Sequence, residues 1–147
     1  MDSRQLLDDA IRAMQSAYAP YSHFRVGAAL LTETGEVYTG CNIENAAYSC
    51  TVCAERTAFF SAVRDGHRKF TKIAVVGGIN GEISSFTYPC GVCRQVMREF
   101  CSDDFLLVFT DGKVIRELTL GDLLPYSFSP ADLAESSYPR GLNHEND

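Results

Sequence analysis

Apolar residues near the start of the chain recur at helical spacing. Leu6, Leu7, Ala10, Ile11, Met14 and Ala17 share one stripe, which predicts a helix over about residues 4–18 with Ser3 as its N-cap and Pro20 as its stop. Two runs of strand character follow, Arg25–Thr32 and Glu36–Asn42, joined at Thr34-Gly35 as a hairpin. Residues from Val52 to Arg64 are apolar on most sides, with Val52, Ala54, Ala58, Phe59, Phe60 and Val63 pointing to a mostly buried helix that Gly66 stops. A short buried strand over Lys72–Gly77 (Ile73-Ala74-Val75-Val76) leads into a Gly- and Ser-rich loop over 78–88. A helix is predicted over Cys90–Cys101, with Pro89 at its start, where a missing N–H is harmless. Strands Phe105–Thr110 and Lys113–Thr119 flank the turn Asp111-Gly112, and Ser129-Pro130 opens a short last helix. The order α-β-β-α-β-α-β-β-α predicts an α/β fold. It is a three-layer α-β-α arrangement around a five-stranded sheet that the two hairpins make mixed rather than parallel.

With 147 residues, we expect one domain over residues 1–135 and a polar C-terminal tail over 136–147. A hydrophobic fraction of 46% and a charged fraction of 22% exclude disorder. No apolar run approaches the ~18 residues that cross a bilayer, so no membrane partner is expected. Lys and Arg total 13 against 19 Asp and Glu, a formal charge of -6 that disfavours a nucleic-acid polymer. A small, weakly charged ligand fits better. Met1–Gln5 carries no basic segment leading into an apolar one. The expected compartment is therefore the cytoplasm, where thiols stay reduced. Six cysteines, at 41, 50, 53, 90, 93 and 101, then call for metal ligation or redox catalysis.

Three of these cysteines fall at helix starts. Cys53 opens one helix, and Cys90 and Cys93 open the next within Pro89-Cys90-Gly91-Val92-Cys93. Glu55 follows Cys53 by two residues, about 200° around a helix, so the two side chains meet only beyond the helix N-terminus. Such ends favour thiolate over thiol. Three thiolates suit Zn²⁺ and leave one tetrahedral position open, the pattern of a catalytic site, with Glu55 an unligated base beside it. Three thiolates on Zn²⁺ carry a net negative charge. Arg56 is the first candidate to offset it by donating to a sulfur, and Arg94 the second. Asn42 and Glu44 alternate with Ile43, so both project from one side of an extended segment. A carboxylate there accepts from a sugar hydroxyl and repels a phosphate.

Cys53-Ala54-Glu55 followed by Pro89-Cys90-Gly91-Val92-Cys93 resembles the signature of zinc-dependent nucleobase deaminases with three cysteine ligands. Phe24-Arg25-Val26-Gly27-Ala28-Ala29-Leu30, Gly40-Cys41-Asn42-Ile43-Glu44-Asn45-Ala46, Cys53–Ala58 and Cys93-Arg94-Gln95 are similar to the small cytidine deaminases. The similar segments span roughly residues 18–133. The resemblance implies hydrolysis of cytidine and deoxycytidine to uridine and deoxyuridine, with zinc-bound hydroxide attacking C4 of the base. It implies one Zn²⁺ per subunit on Cys53, Cys90 and Cys93, with Glu55 carrying protons to N3 and the leaving amine. It implies that Asn42 and Glu44 hold the ribose 3′-hydroxyl, that the Ala54 N–H meets the base carbonyl, and that Phe24 packs on the nucleoside. It further implies a homotetramer with shared sites, to which Phe128 and Tyr48 contribute across subunits.

Two other readings of the cysteines remain open at this point. A redox C-x-x-C pair sits directly after a strand; Pro89-Cys90 follows a loop, and redox chemistry gives Glu55 no role. A structural zinc site needs a fourth ligand, which Cys50 is near enough in sequence to supply. Otherwise Cys41, Cys50 and Cys101 read as small buried hydrophobes, His23, His67 and His144 as surface or packing residues, and Phe59 and Phe60 as core. Glu33, Glu36, Glu82 and Glu117 read as solvated carboxylates.

Overall fold

The computed structural model describes residues 1–133. The tail over 136–147 and His144 lie outside the described residues. Helix α1 (Ser3–Met14) is followed by strands β1 (Phe24–Thr32) and β2 (Val37–Cys41), a 3₁₀ turn at Tyr48–Cys50 and helix α2 (Ala54–Arg64). Strand β3 (Phe70–Ile79), helix α3 (Gly91–Phe100), strands β4 (Leu106–Thr110) and β5 (Ile115–Thr119), the single-turn helix α4 (Leu120–Leu123) and a 3₁₀ turn at Pro130–Leu133 complete it. The five strands form one sheet in the order β2-β1-β3-β4-β5. Only β3 and β4 pair in parallel, through the α3 crossover; the other pairs are antiparallel. The sheet is mixed, as its two hairpins require.

The helices cover both faces, and strand alternation decides which side chain meets which helix. Ala29 and Leu31 of β1, Ala74 and Val76 of β3 and Val108 of β4 pack with Leu6, Leu7, Ala10 and Met14 of α1. Ala28, Leu30, Ile73, Val75, Leu107 and Phe109 face the other way, against Ala54, Ala58, Phe59 and Ala62 of α2 and Cys93 and Met97 of α3. Two glycines permit the close approach of these layers. A Cβ on Gly27 would lie 2.0 Å from the Ala10 carbonyl oxygen, and one on Gly40 2.3 Å from that of Ala54.

Several boundaries differ from the sequence expectation. Asp2, not Ser3, caps α1: its carboxylate accepts from the Gln5 amide while the Gln5 side chain accepts from the Asp2 amide, a reciprocal box that places Ser3 inside the helix. The helix ends at Met14 rather than 18, because Tyr18 leaves to pair with the segment after β2, its amide donating to the Asn42 carbonyl. Val52 precedes α2 and bridges to Ile43. Phe60 is exposed on α2 rather than in the core, and Cys50 is exposed rather than buried. The last expected helix is a 3₁₀ turn.

The topology gathers one end of the sheet. Phe24 at the start of β1 pairs with Ile79 at the end of β3, and Gly27 with Cys41 at the end of β2. The carboxyl ends of β2 and β3 therefore share an edge with the start of β1, and the chain passes from that edge towards α2 and α3. Ligand sites in α/β sheets favour such an edge.

Candidate active site

The chain enters α2 through Cys53 and α3 through Cys90, both extended N-cap residues. Cys90 caps α3 with its own sulfur, which accepts from the Cys93 amide at 3.5 Å. Cys93 lies in the first turn and is buried. The two helix starts face each other, with Cys53 Sγ 3.7 Å from Cys90 Sγ and all three sulfurs within 4.8 Å of one another. Ligands about 2.3 Å from a tetrahedral Zn²⁺ stand about 3.8 Å apart, which the Cys53–Cys90 separation matches. Thiolate sulfur also suits zinc chemically.

Charge in the cluster follows from its neighbours. The Cys93 thiol donates to Cys53, and with Arg56 beside it this holds Cys53 well below the usual thiol range. Cys93 is driven the opposite way by that same bond, by burial and by Glu55. Arg56 Nη2 donates to Cys53 Sγ at 3.5 Å, and the guanidinium is correspondingly harder to deprotonate. Its Nε is buried without a hydrogen-bond partner. Arg94, the second candidate for charge compensation, is engaged elsewhere: its guanidinium donates to the carbonyls of Pro89 at 2.8 Å and Leu123 at 2.7 Å.

Glu55 occupies the first turn of α2 and is 3% exposed. Burial, aided by the Cys53 charge, pushes its carboxyl up to about 7. A carboxyl poised near neutrality suits proton exchange at neutral pH. Ala54 is the first residue of α2, a position whose amide has no acceptor within the helix.

Asn42 and Glu44 turn to the same side, towards residues 21–26. Buried Asn42 accepts from the Val26 amide at 2.8 Å and donates to the Phe24 carbonyl at 2.8 Å. One amide hydrogen and one acceptor position are left over. Glu44 accepts from the Tyr21 and Ser22 amides and from the Ser22 hydroxyl, and the Ser22 bonds hold its carboxyl below the usual range. Tyr21, Ser22, Glu44, Tyr48 and Thr51 line an open cleft of about 410 Å³. The sequence reading missed Tyr21 and Ser22. Their only signal was adjacency to the Phe24 segment. Tyr48 borders this cleft, 76% exposed, and meets Tyr21 edge-on. Phe128 leaves its ring 61% exposed, while its carbonyl accepts from Gln95 on α3.

Cys50 stands outside the sulfur group, and among the described residues the three-cysteine cluster has no fourth Cys, His, Asp or Glu ligand. A larger cleft of about 590 Å³ is lined by Arg98, Asp103, Tyr126 and Ser127. Its buried cation is already bonded to Ser127, Asp103 and the carbonyls of Cys101 and Leu124. The metal-binding candidate is therefore the sulfur cluster and not the larger hollow.

This α/β fold carries, between two helix starts, a three-thiol cluster able to hold a zinc ion. The cytidine and deoxycytidylate deaminase zinc-binding region matches residues 1–109, a span that contains all three cysteines. A cytidine deaminase of Sporosarcina psychrophila is 52% identical over 135 residues, covering 91% of this chain and 96% of that one. A cytidine deaminase of Halalkalibacterium halodurans is 46% identical, covering 90% of this chain and 98% of that one. The crystal structure of cytidine deaminase from Burkholderia pseudomallei superposes with a TM-score of 0.81 at 47% identity, covering 87% of this chain and all of that chain. The chain belongs to the cytidine deaminase family, and its cofactor is Zn²⁺.

Proposed function

We propose that this protein hydrolyses cytidine and deoxycytidine to uridine and deoxyuridine with release of ammonia. Cys53, Cys90 and Cys93 would hold one Zn²⁺ per subunit, which would supply Lewis acidity at the site. Glu55 takes one proton from the attacking water and delivers it to N3 of the base, then takes the second from the hydroxyl formed on C4 and delivers it to the departing amine. Its burial at the start of α2 places this carboxyl beside the three sulfurs, out of bulk water, where a proton carrier is needed. Arg56 offsets the excess negative charge of three thiolates through Cys53. The Ala54 amide meets the base carbonyl, Phe24 packs on the nucleoside, and Asn42 and Glu44 hold the ribose 3′-hydroxyl.

A free nucleoside suits the site better than a nucleotide, because Glu44 repels phosphate and the chain carries a net charge of -6. Tyr48 and Phe128 complete the sites of neighbouring subunits in a homotetramer. Their exposure, with that of Phe60 and Val92, leaves apolar surface for such contacts. The catalytic domain comprises residues 1–135. The protein works in cytoplasmic pyrimidine salvage without nucleic-acid or membrane partners. No helix among the described residues is long and apolar enough to cross a membrane.

The observation that carries this reading is the buried Glu55 carboxyl two residues from one of three sulfurs clustered within 4.8 Å. Loss of the cytidine absorbance band on incubation with the purified protein tests it. Glu55→Gln is expected to keep its zinc and lose turnover. A variant that still deaminates at the wild-type rate removes Glu55 from the mechanism.

A further inference from the structure

We propose that Ser22 is the positioning residue that aims the Glu44 carboxylate at the sugar, and thereby sets how strongly the site distinguishes nucleosides with a 3′-hydroxyl from those without one. The proposal rests on the assignment of Glu44 to that hydroxyl.

A carboxylate on a flexible side chain can rotate, and a rotating acceptor discriminates poorly. Here one residue grips both of its oxygens. The Ser22 amide donates to Glu44 Oε1 at 3.1 Å, alongside the Tyr21 amide at 3.0 Å, while the Ser22 hydroxyl donates to Oε2. Each carboxylate oxygen offers about two acceptor positions. Oε1 is filled by its two amides, and the unused capacity lies on Oε2, the oxygen that Ser22 Oγ touches. Glu44 borders the 410 Å³ cleft with Tyr21, Ser22, Tyr48 and Thr51.

The direction of the serine bond is also set. Ser22 Oγ accepts from the Phe24 amide at 3.0 Å, so its single proton goes to Glu44. An amide, a hydroxyl and a carboxylate thus form a chain in which each bond polarises the next. Between Ser22 and Phe24, His23 adopts a left-handed conformation with φ 61°, rare for a residue with a Cβ. The turn is tied at both ends: the His23 amide donates to the Ala19 carbonyl at 3.0 Å, and the His23 carbonyl accepts from Asn80 at 2.6 Å. This turn presents both the amide and the hydroxyl of one serine to one carboxylate.

The test compares kcat/KM for deoxycytidine with that for 2′,3′-dideoxycytidine, which differ only in the 3′-hydroxyl. Ser22→Ala is expected to lower this ratio about tenfold, the scale of one hydrogen bond to a charged group, with zinc content and melting temperature unchanged because Ser22 is exposed. Loss of the Phe24 amide partner acts on both nucleosides alike and cancels in the ratio. Ser22→Thr keeps the hydroxyl and is expected to retain the wild-type ratio. Glu44→Ala is expected to lose the discrimination, and Ser22→Ala added to it should have no further effect on the ratio. If Glu44→Ala loses discrimination while Ser22→Ala keeps it, the serine proposal is wrong and the Glu44 assignment stands. If Glu44→Ala retains the ratio, the assignment fails and the proposal falls with it.

Discussion

At the residue scale, the site is built from side chains whose charge states depend on one another. Glu55 is a carboxyl that folding moves into an apolar environment, so its folded pKa, about 7, lies above the unfolded value near 4.3. Between those values the folded metal-free protein binds the proton more tightly than the unfolded chain, and the stabilisation from this group is lost as pH rises. Glu55→Gln removes that term. The stability of the metal-free variant relative to metal-free wild type is therefore expected to increase from about pH 4.5 to 7, as read by urea denaturation. A gap independent of pH would mean that Glu55 is not protonated in the folded state. Arg56 bonds to Cys53 at 3.5 Å, and Arg56→Ala is expected to weaken zinc binding or turnover about tenfold or more, the scale of losing a partner of a metal ligand. Competition with a chromophoric chelator measures the first and cytidine turnover the second; if neither changes, the charge-compensating role is refuted.

At the scale of elements, the site depends on how tightly α2 lies on the sheet. Gly40→Ala introduces a Cβ 2.3 Å from the Ala54 carbonyl oxygen, which pushes away the helix end that bears Cys53 and Glu55. We expect loss of both zinc and thermal stability, measured by metal analysis and calorimetry; a folded, zinc-loaded variant with wild-type melting would contradict the described packing. Gly91→Ala, whose added Cβ meets nothing within 4 Å at the start of α3, is the matched control and is expected to be neutral or slightly stabilising.

Helix α1 was readable from its single apolar stripe, α2 from an apolar run too long for a strand and stopped by Gly66, and α3 from Pro89 at its start. The single turn α4 (Leu120–Leu123) is too short to carry a period. The three cysteines were readable for a related reason: positions at helix starts can be assigned locally, and nearby helix starts share a target. What local pattern does not encode is long-range pairing. Tyr18 ends α1 early by bonding to Asn42, far along the chain. Ser22 meets Glu44 across a separation of 22 residues. Arg94 looked equivalent to Arg56 as a basic residue next to a ligand, yet the Pro89 and Leu123 carbonyls claim it. Phe60 fits a helical apolar pattern but stands on the face of α2 that neither the sheet nor α3 covers.

At the scale of the whole molecule, exposed aromatic surface and negative charge bear on what the protein meets. Tyr48, Phe60, Tyr126 and Phe128 are all exposed in the single chain, surface that contacts between the subunits of the proposed tetramer would cover. Sedimentation equilibrium is expected to give four chains per particle, whereas a monomer would leave Tyr48 and Phe128 without the sites assigned to them. The overall charge of -6 predicts that single-stranded oligonucleotides do not compete with cytidine at physiological salt. Central to the account is a metal held by three sulfurs with one corner left for chemistry. Zinc titrated anaerobically into chelator-stripped protein, with cytidine turnover followed at every addition, tests this most directly. The account predicts that activity is absent at the start, rises in step with bound zinc and saturates at one ion per chain. Full turnover in the stripped protein, or saturation with zinc while cytidine stays intact, would contradict it.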